Sequence, residues 1–82
     1  MKTIMHEKMG NVSYRLFSEE NKFGDRKITT YGISVKSRDY SEEVHDITTV
    51  SEKAIEIYET LIRNAVMPVH TTCVITDLIL CW

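Results

Sequence analysis

The sequence predicts an α+β fold: an antiparallel sheet of about three strands, made of an N-terminal hairpin plus an edge strand, covered by helices. Three observations predict it. Residues 12–17 and 28–36 each alternate apolar and polar side chains, as half-buried strands do. From Ser51 onward the apolar residues return at helical spacing instead. The chain has 82 residues, enough for one small domain (1–82) with a single core.

Val12-Ser13-Tyr14-Arg15-Leu16-Phe17 alternates until Phe17. Residues 19–27, Glu-Glu-Asn-Lys-Phe-Gly-Asp-Arg-Lys, are charged and hold a Gly-Asp pair. They read as a hairpin loop longer than a two-residue turn, hence as a mobile or functional tip. In the second strand Tyr31, Ile33 and Val35 share one face, and Thr30, Gly32 and Ser34 share the other. That thin second face suits either solvent or the close approach of another element. Ser37 to Ser41 is a polar turn, and Glu42 to Thr48 alternates poorly, as an edge strand does. Residues 2–9 can be read as a further strand by the same kind of argument.

The clearest local signal is a helix over about 51–66. Ser51 is placed as its N-cap, with Val50 and Ile55 positioned for a hydrophobic staple, while Thr49 and Glu52 form a rival capping box. At 100° per residue Ala54, Tyr58, Leu61, Ile62 and Ala65 gather on one side, opposite Glu52, Glu56, Glu59 and Arg63. Pro68 ends the helix, because proline disfavours helical geometry in the residue before it. Residues 72–82 read as a second helix, with Val74, Ile75, Leu78, Ile79, Cys81 and Trp82 on an arc opposite Thr76 and Asp77. Their Thr, Val and Ile also suit a buried strand, which is the alternative. Leu80 falls off the apolar arc. With Trp82 it leaves an exposed apolar end that points to a partner or a dimer mate.

Hydrophobic residues make up 43% and charged residues 27%, which excludes a collagen-like or wholly disordered chain. The net charge of −2 argues against direct nucleic-acid binding, which normally needs a basic face. The charge is uneven. Residues 1–27 carry six Lys/Arg and four Asp/Glu, and residues 28–82 carry four and eight. Between Asp39 and Glu59 seven carboxylates meet one Lys. An acidic stretch of this kind is usually a solvated face, and its functional reading is a docking surface for a basic partner. No apolar run reaches the roughly 18 residues of a membrane span, and the N-terminus lacks the apolar core of a secretory signal. On one helix Cys73 and Cys81 would stand about 12 Å apart, too far for a disulfide, so reduced thiols and a cytoplasmic location are expected.

Tyr31-Gly32-Ile33, Asp46-Ile47-Thr48-Thr49, the following helix with Glu and Leu, Asn64, Pro68, His70, Val74-Ile75 and Asp77-Leu78 come in an order that resembles a family of small uncharacterised clostridial (Firmicutes-type) proteins, a domain of unknown function. The resemblance covers about Tyr31 to Leu80. The hairpin before Tyr31 and the Thr-Thr-Cys after His70 depart from it. It implies a hairpin followed by two helices and carries no activity, substrate or catalytic residue.

Each candidate for chemistry has a plainer reading beside it. His70, Cys73 and Asp77, three and four residues apart, fall near one helix face and are all zinc-ligand types. Alternatively His70 caps the helix, Cys73 is a small core residue and Asp77 is solvated. Cys73 near a helix N-terminus could be a nucleophile with His70 or His45 as base, yet buried structural cysteines are far commoner. His45 and Asp46 are adjacent on a strand and so point to opposite faces. Lys22, Phe23, Arg26 and Lys27 could touch nucleic acid, although acid in the rest of the chain favours the plainer reading of a soluble charged loop. No metal, cofactor or catalytic residue is expected.

The expected function is therefore a non-enzymatic protein-interaction module, regulatory or inhibitory, whose partner has a basic surface. Asp39, Glu42, Glu43, Glu52, Glu56, Glu59, Leu80 and Trp82 are the expected contact residues. An inhibitor of a host-defence nuclease, of phage or mobile-element origin, is one version, for which acidity is the sole argument. The alternatives are a metal or thiol enzyme using His70, Cys73 and Asp77, or a structural homodimer.

Overall fold

The computed structural model describes residues 1–80; Cys81 and Trp82 lie outside the described residues. The fold is α+β with an antiparallel sheet followed by two helices: β1 (Lys2–Met9), β2 (Val12–Phe23), β3 (Arg26–Lys36), β4 (Ser41–Thr48), α1 (Ser51–Arg63) and α2 (Pro68–Leu80). The sheet has four strands in the order β1-β2-β3-β4, and not about three. The added strand is β1, almost wholly exposed and without alternation, because it is an edge with little core beneath it. Among the described residues no helix is long and apolar enough to cross a membrane.

Two turns of one type fix the register of the first three strands. Gly10-Asn11 joins β1 to β2 and Gly24-Asp25 joins β2 to β3, with the glycine φ at +61° and +62°. A positive φ at the first turn residue alone is the type II′ pattern, whose twist matches that of the flanking strands. The segment 19–27 is therefore no long loop. It is a ribbon paired from Glu19↔Thr30 to Phe23↔Arg26 and closed by a two-residue turn. Its residues read as a loop because the ribbon extends past the core, where both faces meet water and alternation disappears.

The core lies between one sheet face and the helices. Val12, Tyr14 and Leu16 of β2 and Ile33 and Val35 of β3 meet Ala54, Ile57, Tyr58 and Leu61 of α1, with Val66 and Ile75 completing the cluster. Burial of each large side chain contributes roughly 1.5–3 kcal/mol. Two phenols stitch the layers together: the Tyr14 hydroxyl donates to the Val66 carbonyl at 2.9 Å, and the Tyr58 hydroxyl donates to the Tyr14 carbonyl at 3.1 Å. Burial pushes the Tyr58 hydroxyl up to about 12, with the nearby Glu7 charge adding to the shift.

The helix ends differ from expectation for identifiable reasons. α1 is preceded by Val50 with no side-chain cap, so neither Ser51 nor Thr49 caps it. The Thr48 hydroxyl instead accepts from the Val50 N–H at 3.1 Å. α1 stops at Arg63 rather than 66 because Ala65 turns left-handed, at φ +48°. The Val66 N–H then bonds Leu61 O and the Ala65 N–H bonds Ile62 O, the paired bonds of a Schellman motif. Ala65, expected in the core, is exposed as a result. α2 begins at Pro68 rather than near 72, since proline suits the first helical position, where its missing N–H costs nothing.

Candidate functional site

The outer side of α2 mixes apolar and polar side chains, all exposed. Pro68, Thr71 and Ile75 are buried against the body. At 100° per residue the opposite direction is occupied by Cys73, Asp77 and Leu80, with His70, Val69 and Thr76 flanking them. Val69 is 64% exposed and Leu80 77%. Cys73 is a free, exposed thiol and not a core residue. With α2 starting at Pro68 it also lies beyond the first turn, outside the reach of the helix N-terminus. His70 and Asp77 are exposed as well. Among the described residues no three His, Cys, Asp or Glu side chains converge on a metal position.

The expected partner residues divide among three places. Glu52, Glu56 and Glu59 are exposed on α1, in the same helical layer as α2. Asp39 sits exposed in the β3–β4 turn. Glu42 and Glu43 separate because neighbouring strand residues face opposite ways. Glu42 faces the helices, accepting from the Thr72 hydroxyl at 3.2 Å and the Tyr40 hydroxyl at 3.2 Å. Glu43 lies on the uncovered sheet face. Leu80 is exposed as expected, and Trp82 lies outside the described residues. On the ribbon, Lys22 pairs with Lys27 and Phe23 with Arg26. Directly paired residues share a face, so these four do not form one surface.

The uncovered sheet face holds a cluster that the sequence reading missed. Phe17 is fully buried there although no helix covers it. Its ring packs against Gly32, is overlain by the Arg15 guanidinium at 5.3 Å, and meets the His45 ring at 5.2 Å. The thin Thr30-Gly32-Ser34 face was thus made for a close approach. His45 is bracketed: its Nδ1 meets Glu19 Oε1 of β2, and its Nε2 meets Glu43 Oε1 of β4 at 3.2 Å. The hydrogen bond with Glu19 raises its pKa, against the opposing effect of desolvation, and the charges of Glu19 and Glu43 add to the rise. Arg15 Nη2 stands 4.0 Å from Glu43 Oε2.

A bulge places the next residue on this face too. Tyr31↔Thr48 and Ile33↔Val44 pair, so three residues of β4 oppose Gly32, and Asp46 adopts φ +54°. Asp46 Oδ1 then accepts from the Thr30 hydroxyl at 2.7 Å and the Asn21 amide at 3.3 Å. His45 and Asp46 therefore do not diverge as regular strand neighbours would.

No match is found among curated proteins or among solved structures. Residues 1–80 match the family of unknown function DUF6514. That span takes in β1 and β2, which the resemblance from Tyr31 onward left out. From its first strand to the end of α2 the chain belongs to this family of unknown function.

Proposed function

We propose that the protein is a non-enzymatic interaction module, regulatory or inhibitory, that binds another protein through its helical layer. The observation that carries this is the exposure of Val69 and Leu80 on the outer side of α2. Val69 and Leu80 stand 64% and 77% exposed on that side, large apolar side chains left without an internal contact surface. The exposed Glu52, Glu56 and Glu59 of α1 belong to the same layer. Exposed apolar side chains in the same layer as a row of carboxylates are complementary to a partner with apolar anchors and basic flanks. Reversal of Glu52, Glu56 and Glu59 to Lys tests the electrostatic half. The reversed protein should lose its partner in pull-downs from the native host, and unchanged capture would remove the acidic row from the reading.

A further inference from the structure

The end of the uncovered sheet face opposite the ribbon carries a different chemistry. Lys8, Asn11, Ser13, Lys36, Ser37 and Arg38 line a shallow dish of about 390 Å³. Three of the six are cations, three are neutral hydrogen-bonding residues, and none is acidic or apolar. Lys8, Ser13 and Lys36 are direct partners across β1, β2 and β3. Two ammonium side chains thus flank a hydroxyl, with their backbones roughly 10 Å apart at ordinary strand spacing. Arg38 projects from a turn pinned at its base: the Ser37 N–H and hydroxyl both donate to the Tyr40 carbonyl, at 2.8 and 3.1 Å.

Lys8, Lys36 and Arg38 have no ion-pair partner among the described residues. In a chain of net charge −2, three uncompensated cations around one dish are a local reversal of sign. The Lys8 and Lys36 backbones stand about one Debye length apart, so each charge raises the free energy of the other until an anion arrives. Every charged group here is a donor, and the Arg fork and Lys ammonium match the oxygens of a tetrahedral oxyanion. An adjoining depression of about 380 Å³ shares Ser13 and Lys36 and adds His6, Arg15, Ser34 and Glu43.

We propose that this dish binds a phosphate group carried by a small molecule, as a monoester or a diphosphate. No aromatic side chain lines it, so it lacks the stacking surface that single-stranded nucleic acid uses. The site lies on the opposite side of the sheet from the protein-binding layer and stands independently of it.

The test is a titration of the ¹⁵N-labelled full chain with pyrophosphate at constant ionic strength in chloride. Saturable shifts should centre on the Asn11, Ser13, Ser37 and Arg38 amides. The Lys36→Gln/Arg38→Gln variant, with its spectrum otherwise preserved, should bind about tenfold more weakly or worse. Arg63→Gln, which removes an exposed cation on α1, should bind as the parent does. Unsaturable shifts spread over all the lysines, or undiminished binding by the double variant, would overturn the site. A single-stranded octanucleotide that binds more tightly than pyrophosphate would overturn the small-molecule assignment.

Discussion

The Phe17 ring lies so close to Gly32 that a Cβ added there would stand 2.5 Å from Phe17 Cζ and 2.7 Å from the Val44 carbonyl oxygen. One neighbour is a ring that can shift; the other is the backbone of the adjacent strand. The glycine is what lets an aromatic ring lie flat on a sheet face that no helix covers. Arg15 and His45 then roof the ring and keep water from it.

Gly32→Ala should cost roughly 1–3 kcal/mol, the usual range for overpacking a well-filled site. Adding Phe17→Leu should recover only part of the loss, because the clash with the Val44 carbonyl remains. Urea denaturation of the two single variants and the double measures the coupling.

Ala65 occupies the left-handed position that ends α1, where glycine is the usual residue. A side chain there carries a steric cost of about 1 kcal/mol. Ala65→Gly should therefore raise stability by up to about that amount, read as a higher urea midpoint at unchanged slope. Val66 should stay buried, since both Schellman bonds are made by backbone.

His45 should make stability depend on pH. Its folded pKa lies above the usual 6.5 because Glu19 and Glu43 hold the imidazolium. The contribution is fully present below the unfolded value of 6.5 and is lost as pH rises through the folded value. The pair is substantially exposed, so the effect stays below about 1 kcal/mol. His45→Gln and Glu19→Gln should each flatten the stability profile above pH 6. An NMR titration should place the His45 midpoint above 6.5.

Tyr58 has the corresponding role at alkaline pH. Its folded pKa of about 12 exceeds the ordinary value of 10.0. Its contribution is therefore complete below pH 10 and declines from there toward 12. Tyr58→Phe should lower stability by about 1 kcal/mol at neutral pH, through loss of its hydrogen bond to the Tyr14 carbonyl. The same variant should lose less than the parent between pH 10 and 11.5.

Much of the covered side of the molecule was legible in the sequence. Val12, Tyr14, Leu16, Ile33 and Val35 alternate because one of their faces is buried, and Ala54, Tyr58 and Leu61 repeat at helical spacing for the same reason. The uncovered side was not legible, because nothing periodic marks it. Phe17 breaks the alternation of β2 to lie over Gly32. The β4 bulge at Asp46 shifts which residues face which way. Gly10-Asn11 carries the same turn chemistry as Gly24-Asp25 and could have revealed β1. Ala65 sits where sequence rules expect glycine, so the helix was read too long. The dish at Lys8, Lys36 and Arg38 joins the ends of β1 and β3 and the turn after β3, and only the sheet register brings them together.

The proposed partner-binding role rests on the outer side of α2, and Val69→Glu/Leu80→Glu tests it most directly. Both positions are exposed, so the variant should keep the stability of the parent within about 0.5 kcal/mol. In quantitative pull-downs from the native host it should lose the partner that the parent captures, by tenfold or more. A variant that folds as well as the parent and captures the same partner at the same level would contradict the account.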